Sequence, residues 1–205
     1  MTPFWSIAML GFSGCILLAF ATRLPTVQRF DDWMEHVAGP HRLRLRRAAG
    51  MATLTGERLV HPAIAATTAS LLIYTRPGPP RHFLLPLAAA SLGGIITHHL
   101  VKFIYHRHRP EVALLRDKTE AAYPSGHTTN ATAVIITSAY LLVREGLVPL
   151  TVAIPLAIVV CALTGASRVA LGWHWTTDVF GGWMAGAGVA AMASWWFETL
   201  AVAMR

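Results

Sequence analysis

An all-α polytopic membrane protein is the fold class this sequence predicts, on three observations. Only 13% of its residues are charged, about half the roughly 25% usual in soluble domains. Hydrophobic residues make up 54% and mean hydropathy is +0.49. Several apolar runs approach the roughly 20 residues that a helix needs to cross a bilayer. Together these predict one six-helix bundle forming a single domain over residues 1–205, with no separate soluble module.

The expected spans cover roughly residues 4–22, 59–75, 83–105, 127–143, 148–170 and 177–201. The first lacks a basic leader and a clear small-residue cleavage site, so it is read as a retained span. Residues 23–58 form the longest polar stretch. Within it Phe30, Trp33, Met34 and Val37 recur at helical spacing, which predicts a helix lying in the membrane interface. Asp31 and Glu35 are expected to be solvated there. The cluster Arg42, Arg44, Arg46 and Arg47 either attracts anionic headgroups or marks topology. The Pro-Gly-Pro-Pro run at 77–80 reads as a turn. Most tryptophans near the span ends read as interfacial anchors. Gly181, Gly182, Gly186 and Gly188 suggest close helix packing in the last span. Cys15 and Cys161 lie in apolar runs and read as small apolar fillers.

Each crossing switches sides, so the end of span three, the start of span four and the end of span five share one membrane face. That face collects Lys102 and Arg109, then Ser125, Gly126 and His127, then Arg168 and His174. Lys102 and Arg109 are two helical turns apart, which predicts one helical face ended by Pro110. Ser125 is a good N-cap, and Gly126 permits close backbone approach. The first backbone N–H groups of span four would then point at an anion. Three cations and a helix N-terminus around one pocket suit the oxygens of a phosphate.

Two histidines can divide the labour at such a site, one neutral to attack phosphorus and one protonated to release the alcohol. Asp178 follows His174 by four residues, so His174 is assigned as nucleophile with Asp178 holding its far nitrogen. His127 becomes the general acid, and later the base that activates water against a phosphohistidine. Cations and amides supply the charge stabilisation, so neither a metal nor another cofactor is expected.

These residues carry a resemblance. The pattern Lys102-x6-Arg109-Pro110, Pro124-Ser125-Gly126-His127 and Ser167-Arg168-x5-His174-x3-Asp178 resembles the type 2 phosphatidic acid phosphatase family. That family shares its site with the vanadium haloperoxidases. The resemblance implies Lys102, Arg109, Ser125, Gly126 and Arg168 on phosphate, with His127, His174 and Asp178 catalytic. The motif core spans 102–178.

The expected activity is hydrolysis of a phosphomonoester or diphosphate lipid, of the phosphatidic acid, phosphatidylglycerol phosphate or undecaprenyl diphosphate class. The partners are then that phosphorylated lipid and the bilayer. The net charge of +7 comes without a soluble basic module, so nucleic acid is not expected. A vanadate-dependent haloperoxidase-like enzyme and a non-catalytic lipid-phosphate binder or transporter are the alternatives. A Ser125–His127–Asp178 hydrolase lacks a nucleophile elbow and leaves the cations unexplained. His98, His99, His106 and His108 have no carboxylate at ligand spacing and read as pocket or interfacial residues. The resemblance places the protein in a bacterial inner membrane with the site toward the periplasm. The positive-inside rule opposes that orientation, because most Lys and Arg residues fall on the motif side. The sequence fixes no oligomeric state.

Overall fold

The computed structural model describes residues 2–76, 79–111 and 121–202. Pro77 and Gly78 of the expected turn lie outside the described residues. Every regular element among the described residues is helical. Helix α1 covers Thr2–Ala21, α2 Pro25–Ala38 and α3 Arg42–Ala52. Two 3-10 turns, Gly39–His41 and Thr53–Gly56, join these to α4, Val60–Thr75. Then follow α5 (Arg81–Ile104), α6 (Gly126–Arg144), α7 (Leu150–Ala170) and α8 (Thr176–Val202).

The apolar runs become helices with ends close to those expected. Pro3–Ala21, Arg81–Ile104 and Leu150–Ala170 are long and apolar enough to cross a membrane. Outward-facing side chains of α1, such as Leu10 and Leu17, are about two-thirds exposed or more, as suits an apolar medium outside. Helices α4, α6 and α8 stand at the other three expected spans.

Helix α8 is the axis, packed against α1, α5, α6 and α7. Small residues make this possible. A methyl group on Gly186 would come within 2.6 Å of Thr132 Cβ and 2.7 Å of the Thr129 carbonyl, both on α6. At one end of the bundle Leu72, Phe83, Leu87, Val134, Leu141 and Phe197 form the larger apolar cluster. At the other, Cys15, Tyr105, Tyr123 and Ala185 form a smaller one. Both cysteines are buried and free. The Tyr123 hydroxyl donates to the Cys15 carbonyl, and those of Tyr105 and Thr22 are 2.6 Å apart. These bonds tie α1 to the chain on either side of the 106–122 connection.

Two expectations change here. The stretch after α1 forms two helices rather than one. Helix α5 also ends at Ile104, well short of Pro110, because Tyr105 turns extended with φ −120° and ψ 104°. Lys102 and Arg109 therefore do not share a helical face. Arg109 lies on an extended strap of residues 105–110, held by side-chain bonds to distant elements.

Candidate active site

Local chemistry brings three helix ends to one place. Helix α7 stops at Ala170, and Gly172 adopts φ +69°, a left-handed conformation that glycine enters without a Cβ clash. This reverses the chain so that the amides of Trp173 and His174 bond back to the Arg168 carbonyl at 3.0 and 3.3 Å. The Ser125 amide donates to the Asp178 carbonyl at 3.0 Å, joining the starts of α6 and α8. Gly56 closes the third side, where an added methyl group would stand 2.6 Å from the His127 carbonyl.

The result is a cavity of about 850 Å³ whose wall includes Lys102, Arg109, Gly126, His127, Arg168 and His174. Six of the eight expected site residues therefore meet. The other two stand behind them. Ser125 occupies the N-cap position of α6, but its hydroxyl caps no helix amide; it accepts from the Thr128 hydroxyl at 3.0 Å and is fully buried. Asp178 is fully buried behind His174. His98, His99 and His106 also line the cavity. The His98 ring packs so closely on Gly126 that a methyl group there would meet its edge at 3.0 Å. The close approach expected of Gly126 is thus made by an imidazole.

His174 is 2% exposed, and its Nδ1 lies 3.3 Å from Asp178 Oδ2. A carboxylate only accepts, so Nδ1 carries the proton and Nε2 keeps its lone pair. Burial holds His174 well below the usual histidine range, assisted by Arg168, Arg109 and Lys102. The ring is therefore neutral, the state an attacking nitrogen needs. His127 Nε2 lies 3.1 Å from Glu57 Oε1. Arg168 is 4% exposed, donates to Thr53 Oγ1 at 2.8 Å, and lies 4.3 Å over the Trp173 ring. Arg109 donates to the Trp173 carbonyl at 3.1 Å.

Several contributors escaped the sequence reading. Asp31 is buried, not solvated, because Arg107 and the start of α8 surround its carboxylate. Glu35 is partly buried and pairs with Arg42 at 2.6 Å. Arg107 bridges Asp31 and Asp178 at 2.6 and 2.7 Å. Burial alone would lower the Arg107 pKa, but the two carboxylates outweigh it and raise it. Trp173 and Trp175, among the tryptophans expected mostly as interfacial anchors or packing residues, lie against Arg168 and Arg107. Glu57 and Thr53 carried no local signal; both reach the site through the turn before α4.

A family model described as the PAP2 superfamily matches residues 82–201. Phosphatidylglycerophosphatase B of Bacillus subtilis is 30% identical over 182 residues, covering 83% of this chain and 85% of that protein. An undecaprenyl-diphosphatase of Sulfolobus acidocaldarius is 30% identical over 137 residues, covering 62% of this chain and 59% of its own. The crystal structure of a transmembrane PAP2 type phosphatidylglycerolphosphate phosphatase from Bacillus subtilis is similar with a TM-score of 0.80 and 26% identity. The match covers 94% of this chain and 96% of that one.

Proposed function

The chain belongs to the PAP2 superfamily, and on that premise we propose that it is an integral-membrane phosphatase of lipid phosphates working through a phosphohistidine. The observation that carries this reading is the one cavity onto which His174, His127, Lys102, Arg109 and Arg168 all open.

In the first step His174 Nε2 attacks phosphorus while the bond from phosphorus to the leaving oxygen breaks. His127 gives that oxygen its proton. Lys102, Arg109, Arg168 and the first amides of α6 bear the charge of the phosphoryl oxygens. Ser125 supports this cradle from behind, through its place at the start of α6. Asp178 balances the charge that builds on the imidazole. In the second step water attacks phosphorus, His127 takes its proton, and the phosphorus–nitrogen bond breaks to release phosphate.

The substrate is a lipid monophosphate or diphosphate whose tail stays in the bilayer. Ile95 and Phe103 give the cavity an apolar side for its first carbons. Candidates are phosphatidic acid, phosphatidylglycerol phosphate and undecaprenyl diphosphate, the latter two matching what the relatives are named for. The chain forms one domain, with α1, α4, α5, α6, α7 and α8 as six crossings and α2 lying in the interface. Exposed Phe30, Trp33 and Val37 on α2 support that placement. The membrane is a bacterial inner membrane with the site toward the periplasm. Arg44, Arg46 and Arg47 are exposed on α3, which packs against α7. They therefore inflate the charge count on the site's side without marking a cytoplasmic loop.

Phosphate release from these three lipids in mixed micelles containing EDTA tests the reading. At least one should be hydrolysed, with orthovanadate competing. An absence of release from all three, or turnover restored only by a metal, would overturn it.

A further inference from the structure

Helix α2 has a single buried residue, Asp31. An interfacial helix anchored by a carboxylate rather than an apolar side chain calls for a reason, since an unpaired buried charge is costly. Both oxygens of Asp31 are engaged. Oδ1 accepts from the Thr177 amide at 3.0 Å, and Oδ2 from the Thr177 hydroxyl and Arg107 Nη2, each at 2.6 Å. The other terminal nitrogen of Arg107 donates to Asp178 Oδ1 and Thr177 Oγ1, each at 2.7 Å. Asp178 Oδ2 accepts from the Trp175 amide at 3.0 Å and faces His174 Nδ1. The chain Asp31–Arg107–Asp178–His174 thus runs from a surface helix to the attacking ring. Trp175 covers the guanidinium, its ring centre 5.6 Å from Cζ.

We propose that Asp31 and Arg107 are positioning residues for the hydrolysis assigned above, acting on His174 through Asp178. The inference rests on that assignment. Arg107 keeps Asp178 an anion, aimed by one oxygen at His174, and tempers its basicity so that Nδ1 retains its proton. Asp31 fixes the guanidinium fork, so that Arg107 cannot swing toward the phosphate cradle. It also holds the start of α8, and with it Asp178, through Thr177. Other charged or titratable groups surround this pair. They are Arg23 before α2, Asp32 on α2, and Tyr105, His106 and His108 on the strap, with Arg109 also on the strap, Tyr123 before α6, Lys102 on α5, His127 on α6 and Arg168 on α7. Cys15 of α1 reaches the group only through the Tyr123 hydroxyl.

The test measures kcat and KM from pH 5 to 9 for wild type, Asp31→Asn, Arg107→Lys and Arg107→Gln, with thermal unfolding of each. Losing a partner behind a metal-ligating histidine costs roughly 10- to 100-fold, and the same scale is expected for a partner behind an attacking histidine. Asp31→Asn should lower kcat toward the smaller figure and Arg107→Gln toward the larger, with KM changed much less. In Arg107→Gln the acid limb of kcat should move to higher pH, because a buried carboxylate deprived of its cation protonates more readily; Asp31→Asn leaves that cation on Asp178, so its limb should not move upward. Arg107→Lys should recover part of the rate. Asp31→Asn is isosteric, and its one remaining oxygen can still accept from the Thr177 amide, so its lowered kcat at little-changed KM carries the test if Arg107→Gln does not fold.

A loss in Arg107→Gln that follows the folded fraction with an unmoved acid limb would overturn the proposal, as would wild-type kinetics in Asp31→Asn. A raised KM at unchanged kcat in Arg107→Gln would overturn it too, by making Arg107 a phosphate ligand. An inactive wild type would instead sink the assignment of function. Turnover by wild type with indifference to Asp31 sinks this inference alone.

Discussion

Helix α6 carries charge at both ends, and the two ends are built on opposite principles. At its C-terminus Glu198 accepts from Arg144 at 2.7 and 3.2 Å and from the Tyr140 hydroxyl at 2.6 Å. The Arg144 side chain is half exposed, and the larger apolar cluster lies beneath. Here charges are matched locally, at low desolvation cost, above a packed core. At its N-terminus charged and polar groups are buried: Arg168, Asp178 and His174 are each under 5% exposed. Arg168 and His174 open onto a cavity, with Asp178 behind the imidazole. Burying charge around open space gains nothing for folding unless a ligand completes it. That contrast marks one end as scaffold and the other as site.

The largest effect should come from the site end. His174→Ala removes the nitrogen proposed to attack phosphorus, and turnover should fall by about 10⁴-fold or more. Its stability should also depend on pH. The His174 pKa is lowered in the folded state, so the unfolded chain binds the extra proton first. Stability is then fully present above the ordinary histidine range near 6.5 and is lost as pH falls below it. Wild type should lose melting temperature between pH 7 and pH 5, and His174→Ala should lose less. Equal slopes would mean that the ring is not held neutral, and full turnover would remove it as nucleophile.

How legible this was follows from the range of the interactions involved. Spans expected at 59–75 and 127–143 became Val60–Thr75 and Gly126–Arg144, because apolar runs and a Ser-Gly start are local signals. That Lys102, His127, Arg168 and His174 would line one cavity was legible because each stands at or near a helix end. Asp31 was not. Its neighbours Asp32 and Glu35 gave it the look of a solvated face, and its partner Arg107 lies 76 positions away. The strap was misread for a related reason. A helix was expected to run on toward Pro110, whereas bonds from Tyr105, Arg107, Arg109 and the His108 carbonyl to distant partners hold it extended. Long-range polar pairing leaves no periodicity to read.

An intermediate effect should come from the contact between the two ends. Gly186 of α8 faces the middle of α6, where an added methyl group meets the Thr129 carbonyl and Thr132. Backbone is one of the obstacles, so the helices must separate. Gly186→Ala should cost about 1–3 kcal/mol of stability, and activity should fall only as far as the site end is carried along. Unchanged stability would show that α6 and α8 are less tightly apposed than drawn. Activity lost without destabilisation would mean that the site senses this contact directly.

The smallest effect belongs to the scaffold end. Glu198→Gln removes the charge that Arg144 and Tyr140 share but leaves a side chain able to accept one bond. Exposed pairs contribute about 0–1 kcal/mol, and the apolar cluster underneath is untouched. The melting temperature should therefore drop slightly, more at low salt than at high, since an exposed pair is screened. The kcat and its pH dependence should match wild type, because no bond in the Asp31–Arg107–Asp178–His174 chain reaches Glu198. A shift in the acid limb of Glu198→Gln would break the comparison, for it would mean that charge at one end of α6 sets the chemistry at the other.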